Sequence, residues 1–250
     1  MKCLLICYNL SMVINMNLKL DLWAKEDVIR FEDYLYSLRR IEKIDWTKNI
    51  VCTKMDTLAI VLPDLKKMAK EIYKGDYISY LDLMPHKYFE SLITDAFLIS
   101  LIKDYKLQIK YINKLSKYID SWSVTDTLKF SIKNHEDDYI DYAKELLISK
   151  ETYKRRIGVR ILFSYTRLDS YIDQIFSIID TLKDEEEYYV NMAVAWLLCE
   201  LMIKQRDKTL KYLKKHNLNK FTINKMISKC RDSFRISKED KEFLLKYREK

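Results

Sequence analysis

The sequence predicts an all-α fold, arranged as an α-solenoid of antiparallel helical hairpins. Only two glycines and two prolines occur in 250 residues, and β-rich folds need glycine at the positive-φ positions of their turns. Phosphate-binding loops of Rossmann and P-loop enzymes are excluded for the same reason. The intervals from Trp122 to Arg156 and from Arg156 to Trp196 are 34 and 40 residues. These are close to the length of one helix–turn–helix repeat.

The N-terminal segment has only part of a signal-sequence pattern. Residues 1–16 contain an apolar run, but Asn9 and Asn15 interrupt it and no small-residue cleavage site follows. The run is also too short to span a bilayer. Met12 or Met16 as the true start and a docked N-terminal helix are alternative interpretations. We treat residues 1–20 as an extension and expect a cytoplasmic protein.

The first helices are defined by apolar spacing and by helix-end residues. Leu22–Arg40 has Phe31 and Leu35 at helical intervals. Pro63–Lys74 starts with a first-turn proline and ends before Gly75. The remaining periodic stretches are predicted as helices at about 86–103, 105–119, 121–133, 136–149, 151–166, 169–182, 186–204, 206–215, 219–231 and 237–248.

Capping residues and short connections support this assignment. Asp120 or Ser121 can cap the helix that carries Trp122, and Ser237 with Asp240 resembles a capping box. The connections are only a few residues long, as in antiparallel helical hairpins. Since no low-complexity linker interrupts the chain, we predict one domain over residues 1–250.

Charge is unevenly distributed along the chain. Residues 201–250 contain 16 Lys and Arg against 6 Asp and Glu, while the formal net charge of the whole chain is +8. A basic C-terminal fifth indicates an anionic partner, for which nucleic acid is the first hypothesis. The alternative is a lysine-rich composition that places Lys on every solvated surface.

Cysteine and histidine do not form a metal-binding pattern. The five cysteines, Cys3, Cys7, Cys52, Cys199 and Cys230, lack the paired spacing of a zinc site and are too scattered for a disulfide framework. Cys199 and Cys230 lie in apolar helical stretches and are expected to be reduced core residues. The three histidines are dispersed. We therefore expect no metal and no cofactor.

Trp122, Asp126, Arg156 and Trp196 form the candidate site. Trp122 and Asp126 are four residues apart and share one helix face. Asp126 is predicted to lie in mid-helix, where aspartate is a poor helix former and no cap is needed. These residues also have ordinary interpretations: the tryptophans as core residues, and Asp126 as a cap or surface residue.

Arg156 belongs to a basic cluster at the start of a predicted helix, with Lys154, Arg155 and Arg160. The positive end of a helix dipole favours anions, so phosphate contact is one interpretation. A surface salt-bridged to the acidic residues 185–187 is the other.

The chain resembles the AlkD-type DNA alkylation repair enzymes, which are glycosylases built from HEAT-like helical repeats. The matching stretches are PDLKKMAKEI (63–72), SWSVTD (121–126), YKRRIGVRIL (153–162), YYVNMAVAWLLCEL (188–201) and NKMISKCRDSFRISKEDKEFL (224–244). Residues 115–248 resemble the family most strongly. The family's Trp-x-x-x-Asp motif matches Trp122 and Asp126, its cleft arginine matches Arg156, and its second cleft tryptophan matches Trp196.

The resemblance implies that the protein hydrolyses the N-glycosidic bond of cationic alkylpurines, such as 3-methyladenine and 7-methylguanine, in duplex DNA. It implies a concave DNA-binding groove and a monomer that associates with neither membrane nor metal. Asp126, Trp122, Trp196 and Arg156 are the expected catalytic residues. The expected DNA contacts are Lys154, Arg155, Arg160, Tyr189 and Asn191.

The apolar stretch Leu58–Leu62 departs from the family, which tends to have a glycine and a polar or basic residue there. If the N-terminal repeat of the family helps to hold the DNA strand opposite the lesion, this departure calls that contact into question here. One alternative function is therefore a catalytically silent helical-repeat protein that binds nucleic acid. Another is a scaffold for protein partners.

Overall fold

Fourteen α-helices follow one another in residues 16–249, the part of the chain that the computed structural model describes. They are α1 (Lys25–Ser37), α2 (Ile44–Val51), α3 (Leu62–Tyr73), α4 (Tyr77–Asp82), α5 (Phe89–Ile99), α6 (Tyr105–Ser116), α7 (Trp122–Thr127), α8 (Glu136–Leu147), α9 (Thr152–Leu162), α10 (Ile172–Ile179), α11 (Tyr188–Lys204), α12 (Arg206–Tyr212), α13 (Lys220–Asp232) and α14 (Lys238–Leu244). Short 3₁₀ turns lie at Ile41–Lys43, Phe163–Tyr165, Asp169–Tyr171, Asp180–Leu182 and Leu245–Tyr247. The predicted all-α class is confirmed, while Cys3, Cys7 and Met12 lie outside the described residues.

The helices pack in an alternating order that brings distant parts of the sequence together. α5 contacts α3 and α7, α9 contacts α7 and α11, and α11 in turn contacts α13. The intervening helices pack beside this series, with α6 on α5, α8 on α9 and α12 on α11. This order is compatible with stacked helical hairpins. The HEAT-like solenoid geometry and its concave groove stay a prediction.

Helix α7 is shorter than the predicted helix at 121–133, because side chains of neighbouring helices hold the following backbone. The Lys129 N–H donates to Ser100 Oγ at 2.9 Å, and the Ser131 N–H donates to Gln108 Oε1 at 3.3 Å. Gln108 Nε2 also donates to the Lys129 carbonyl at 3.3 Å. These bonds replace those that further helical turns would make.

Two short helices, α2 and α4, are absent from the sequence prediction. They have eight and six residues, and so few residues give almost no periodic signal. The predicted caps agree better with the structure: the Ser121 side chain accepts from the Ser123 N–H, and Ser237 accepts from the Asp240 N–H. Asp120 instead accepts from Thr53 Oγ1 at 2.7 Å.

Several sequence features have clear structural counterparts. Cys199 and Cys230 are buried free thiols, as predicted.

In the apolar stretch Leu58–Leu62, Ala59 adopts a left-handed backbone with φ of 60°, a conformation that glycine adopts more readily. The Glu90 carboxylate holds this turn by accepting from the Leu58 and Ala59 N–H groups at 2.9 and 2.7 Å. None of the described helices is long and apolar enough to cross a membrane.

Candidate functional site

Asp126 lies in the last turn of α7, and the prediction of a mid-helix position was wrong. A carboxylate is unfavourable at this negative end of a helix unless a cation balances it. Arg156 of α9 supplies that cation, with Nη2 at 2.9 Å from both carboxylate oxygens. The Asp126 side chain keeps 17% of its surface exposed, against 5% for Arg156. Solvent and a ligand can therefore reach the acid, while the arginine lies behind it.

Arg156 connects three helices through its remaining nitrogens. Its Nε donates to Thr125 Oγ1 at 2.9 Å, and its Nη1 donates to the Tyr189 carbonyl at the start of α11. Thr125 Oγ1 in turn donates to the Trp122 carbonyl at 2.7 Å. Since all three guanidinium nitrogens donate to protein acceptors, Arg156 sets the position of Asp126 relative to α11.

Arg160 lies one helical turn after Arg156 on α9, and its guanidinium packs against the Trp196 ring. Its Nε is 3.5 Å from Asp126 Oδ1, and its guanidinium carbon is 4.7 Å from the centre of the Trp196 ring. The guanidinium carbon also lies 4.3 Å from the centre of the Phe163 ring. Burial and the Arg156 charge lower the pKa of Arg160, and the Asp126 carboxylate offsets this only in part. Two guanidinium groups thus approach a single carboxylate.

The two indoles border the same cavity as Asp126. Both are half-buried, so each presents part of its ring to solvent. Trp122 is held by its Nε1, which donates to the Ile50 carbonyl of α2 at 3.2 Å. Trp196 packs edge-on against Phe163 with ring centres 4.8 Å apart. The cavity has a volume of about 410 Å³ and is lined by Trp122, Asp126, Arg156, Tyr188, Tyr189, Met192, Trp196 and Lys229.

The other sequence-predicted contacts have different surroundings. Arg155 donates to the Glu185 carboxylate at 2.7 and 3.0 Å, which is the salt-bridged alternative. Asn191 is buried, and its Nδ2 donates to the Glu185 carbonyl at 2.9 Å. Lys154 pairs with Glu151 and remains partly exposed. Tyr189 lines the cavity, and the Cys52 side chain together with burial raises the pKa of Tyr189 to about 12.

Sequence reasoning missed several residues around the site. Tyr188 and Met192 belong to one of the matching stretches, and Lys229 lies in the basic C-terminal fifth, so signals for them existed. Thr125 also lies in a matching stretch, SWSVTD, whereas Ile50 lies in none. Their roles depend on tertiary packing of α9 and α2 against α7.

Two further cavities adjoin the site, one on each side. On the Trp122 side is an apolar cleft of about 600 Å³, bordered by Trp46, Ile50, Val61 and Leu62. On the Tyr188 side is a cleft of about 880 Å³ between the start of α11 and α13. The site cavity therefore shares Trp122 with the first cleft and Tyr188 with the second.

The site offers one carboxylate, two indole faces and a cationic border. Within residues 16–249, no three His, Cys, Asp or Glu side chains are grouped so that they could hold a metal ion. A carboxylate between indoles can stabilise positive charge that develops on a ligand. The cationic border suits a ligand that also carries negative charge.

A protein-family model covers most of the chain. The family model for DNA alkylation repair enzymes matches residues 32–229, which includes Trp122, Asp126, Arg156 and Trp196. A search of curated proteins finds no match. The chain belongs to the DNA alkylation repair enzyme family.

Proposed function

We propose that this protein is a monofunctional DNA glycosylase that removes cationic N-alkylated purines, such as 3-methyladenine and 7-methylguanine, from duplex DNA. The observation that carries the proposal is the arrangement around Asp126. Its partly exposed carboxylate, held by Arg156 at 2.9 Å, lies in a cavity that two indoles border. Family membership directs the choice of DNA as the substrate.

One carboxylate is sufficient for this reaction because alkylation activates the leaving group. N-alkylation at these ring positions gives the purine a positive charge, so no general acid has to protonate it. Sugar hydrolases with unactivated leaving groups normally need two carboxylates. The bond between the sugar carbon and the purine nitrogen breaks, and the electron pair leaves with the base, which becomes neutral. Water then bonds to the sugar carbon and releases a proton to solvent.

Asp126 would then stabilise the positive charge that develops on the deoxyribose and orient the attacking water. Preorganised charge of this kind is usually the largest single catalytic contribution. Trp122 and Trp196 would lie against the sugar and the cationic base, and each cation–π contact contributes about 0.5–2 kcal/mol. Arg156 would act as a positioning residue, since its nitrogens already donate to Thr125, Asp126 and Tyr189.

DNA would lie along the face that carries the three cavities, in the groove of the proposed helical-repeat array. Lys154 and Lys229 are the cations that we assign to phosphate contacts. Such contacts give affinity and register without sequence preference. We assign Arg155, Arg160 and Asn191 to the support of this surface, because their side chains contact other protein groups.

The test is base release from methylated genomic DNA, measured by chromatography of the freed purines. The wild-type protein should release methylated purines, and Asp126→Asn should release few or none. If both proteins release no purine yet bind duplex DNA with a steep salt dependence, the protein is a catalytically silent DNA-binding relative. Equal activity of the two proteins would exclude the assigned role of Asp126.

A further inference from the structure

The cleft on the Tyr188 side of the site carries two exposed aromatic rings. Tyr188, the first residue of α11, is 52% exposed, and Phe221 near the start of α13 is 39% exposed. Their ring centres are 5.8 Å apart. Tyr188 also lines the site cavity, so the rings extend that cavity into the neighbouring cleft.

The two rings contribute less to the core than buried rings would. A large aromatic side chain stabilises a fold mainly through the area that it removes from water, and both rings leave much of that area exposed. Adjacent exposed rings beside a functional cavity more often mark a binding surface.

Cations surround the ring pair on the α13 side. Lys225 Nζ lies 5.5 Å from the centre of the Phe221 ring, and Lys220 and Arg248 line the same cleft. Lys229 follows on the border of the site cavity. The opposite wall is acidic, with Asp184 and Glu186 beside the Arg155-paired Glu185.

We propose that Tyr188 and Phe221 form a stacking surface for an unpaired nucleobase of the bound DNA. This proposal rests on DNA binding at the neighbouring site, as proposed above. Aromatic rings bordered by Lys and Arg are the usual way in which proteins hold single bases, with ring faces for the base and cations for its phosphates. The acidic wall adds acceptors for the amino groups of a base.

A nucleobase fits this cleft better than an apolar protein segment does. The cleft volume of about 880 Å³ is in the range of about 300–1,000 Å³ that small-ligand sites have. Its border contains charges of both signs, which an apolar helix would leave without partners. Because Tyr188 lines both this cleft and the site cavity, a base held in the cleft would lie beside the site.

The test compares two duplexes of the same sequence, one fully paired and one with a single bulged 2-aminopurine. Affinity and 2-aminopurine emission are measured with wild-type protein, Phe221→Ala and Phe221→Trp. Phe234→Ala is the matched control, because Phe234 is fully exposed and does not line the cleft. Thermal unfolding of each variant verifies that it is folded.

Wild-type protein should bind the bulged duplex about tenfold more tightly and quench its emission, as expected for one stacked base. Phe221→Ala should lose both effects, while Phe221→Trp and Phe234→Ala should retain them. Retention of the preference by folded Phe221→Ala would overturn the proposal. So would a wild-type protein that binds both duplexes equally or neither of them.

This test separates the stacking surface from the glycosylase activity. A bulge preference that depends on Phe221, without base release from alkylated DNA, would contradict the glycosylase and support the stacking surface. Base release from alkylated DNA with no bulge preference would support the glycosylase and contradict the stacking surface.

Discussion

Arg156 Nη2 lies 2.9 Å from both carboxylate oxygens of Asp126 and joins α9 to the last turn of α7. The same guanidinium reaches Thr125 and the Tyr189 carbonyl. One buried side chain therefore sets the position of the acid relative to three helices. This contact unites two residues that are 30 positions apart in the sequence.

Arg156→Lys should reduce base release by about 10²-fold, because a lysine makes one point contact where the guanidinium makes several and the acid loses its alignment. It should also destabilise the protein, since Thr125 Oγ1 and the Tyr189 carbonyl lose their charged donor, and a hydrogen bond to a charged group contributes about 1.5–3 kcal/mol. DNA affinity should change little, because Arg156 is assigned no phosphate. Single-turnover rates, urea unfolding and equilibrium binding measure these three effects. A large loss of DNA affinity in folded protein would instead place Arg156 on a phosphate.

Lys154→Gln should weaken duplex DNA binding and lower the salt slope of log K by about one. Lys144→Gln is the matched control, because Lys144 and Lys154 each pair with an acid three residues earlier, Asp141 within α8 and the N-cap residue Glu151 of α9. Binding constants for both variants are measured between low and moderate salt. If Lys144→Gln lowers the slope as much as Lys154→Gln does, the Lys154 contact is wrong.

His86 should make the free energy of unfolding depend on pH. His86 and Asp95 are buried with Nδ1 and Oδ2 2.9 Å apart. Burial lowers the pKa of His86, but the Asp95 carboxylate outweighs it, with a smaller contribution from Glu32 and an opposing one from Lys114. The net pKa is raised above 6.5.

A raised folded-state pKa stabilises the protein below the unfolded pKa, and this stabilisation is lost as pH rises through the folded pKa. The free energy of unfolding should thus fall between slightly acidic and alkaline pH. Urea titrations at several pH values, with wild type and His86→Gln, measure the effect. The variant should lack this part of the pH dependence, and parallel curves would contradict the assignment.

Gly158→Ala should destabilise the protein, although alanine is normally the better helix former by about 1 kcal/mol. An added Cβ would lie 2.9 Å from the Ala143 carbonyl oxygen and 3.0 Å from Leu147 Cγ. Overpacking of this kind costs about 1–3 kcal/mol. Ser177→Ala, at an exposed position of α10, is the control. A Gly158→Ala variant more stable than wild type would show that α8 can move away from α9.

Much of the helical architecture follows from the sequence, since apolar spacing is a local property. Proline and glycine predict a helix over Pro63–Lys74, and α3 spans Leu62–Tyr73. Gly75 has no positive φ, however; glycine is needed there because any Cβ would collide with the Leu20 backbone. The predicted α7 is too long, because bonds from Ser100 and Gln108 are not visible in local periodicity.

The sequence predicts which residues form the candidate site, but it does not predict the hydrogen bonds and ion pairs between them. Spacing and family resemblance select Trp122, Asp126, Arg156 and Trp196, and all four line one cavity. Helix packing decides the partners of the two neighbouring arginines. Arg155 pairs with Glu185, and the Arg160 guanidinium packs against the Trp196 ring. Residue type alone does not separate an exposed cation such as Lys154 from one that pairs within the protein, such as Arg155.

The most direct measurement of the central claim is single-turnover excision of one 7-methylguanine from a defined duplex by wild type and Asp126→Asn. DNA affinity is measured on the same preparations. We predict that wild type converts the lesion to an abasic site, and that Asp126→Asn binds the duplex with similar affinity but is slower by about 10²-fold or more. Equal rates in the two proteins, or no excision by wild type while it binds the duplex, would contradict the account.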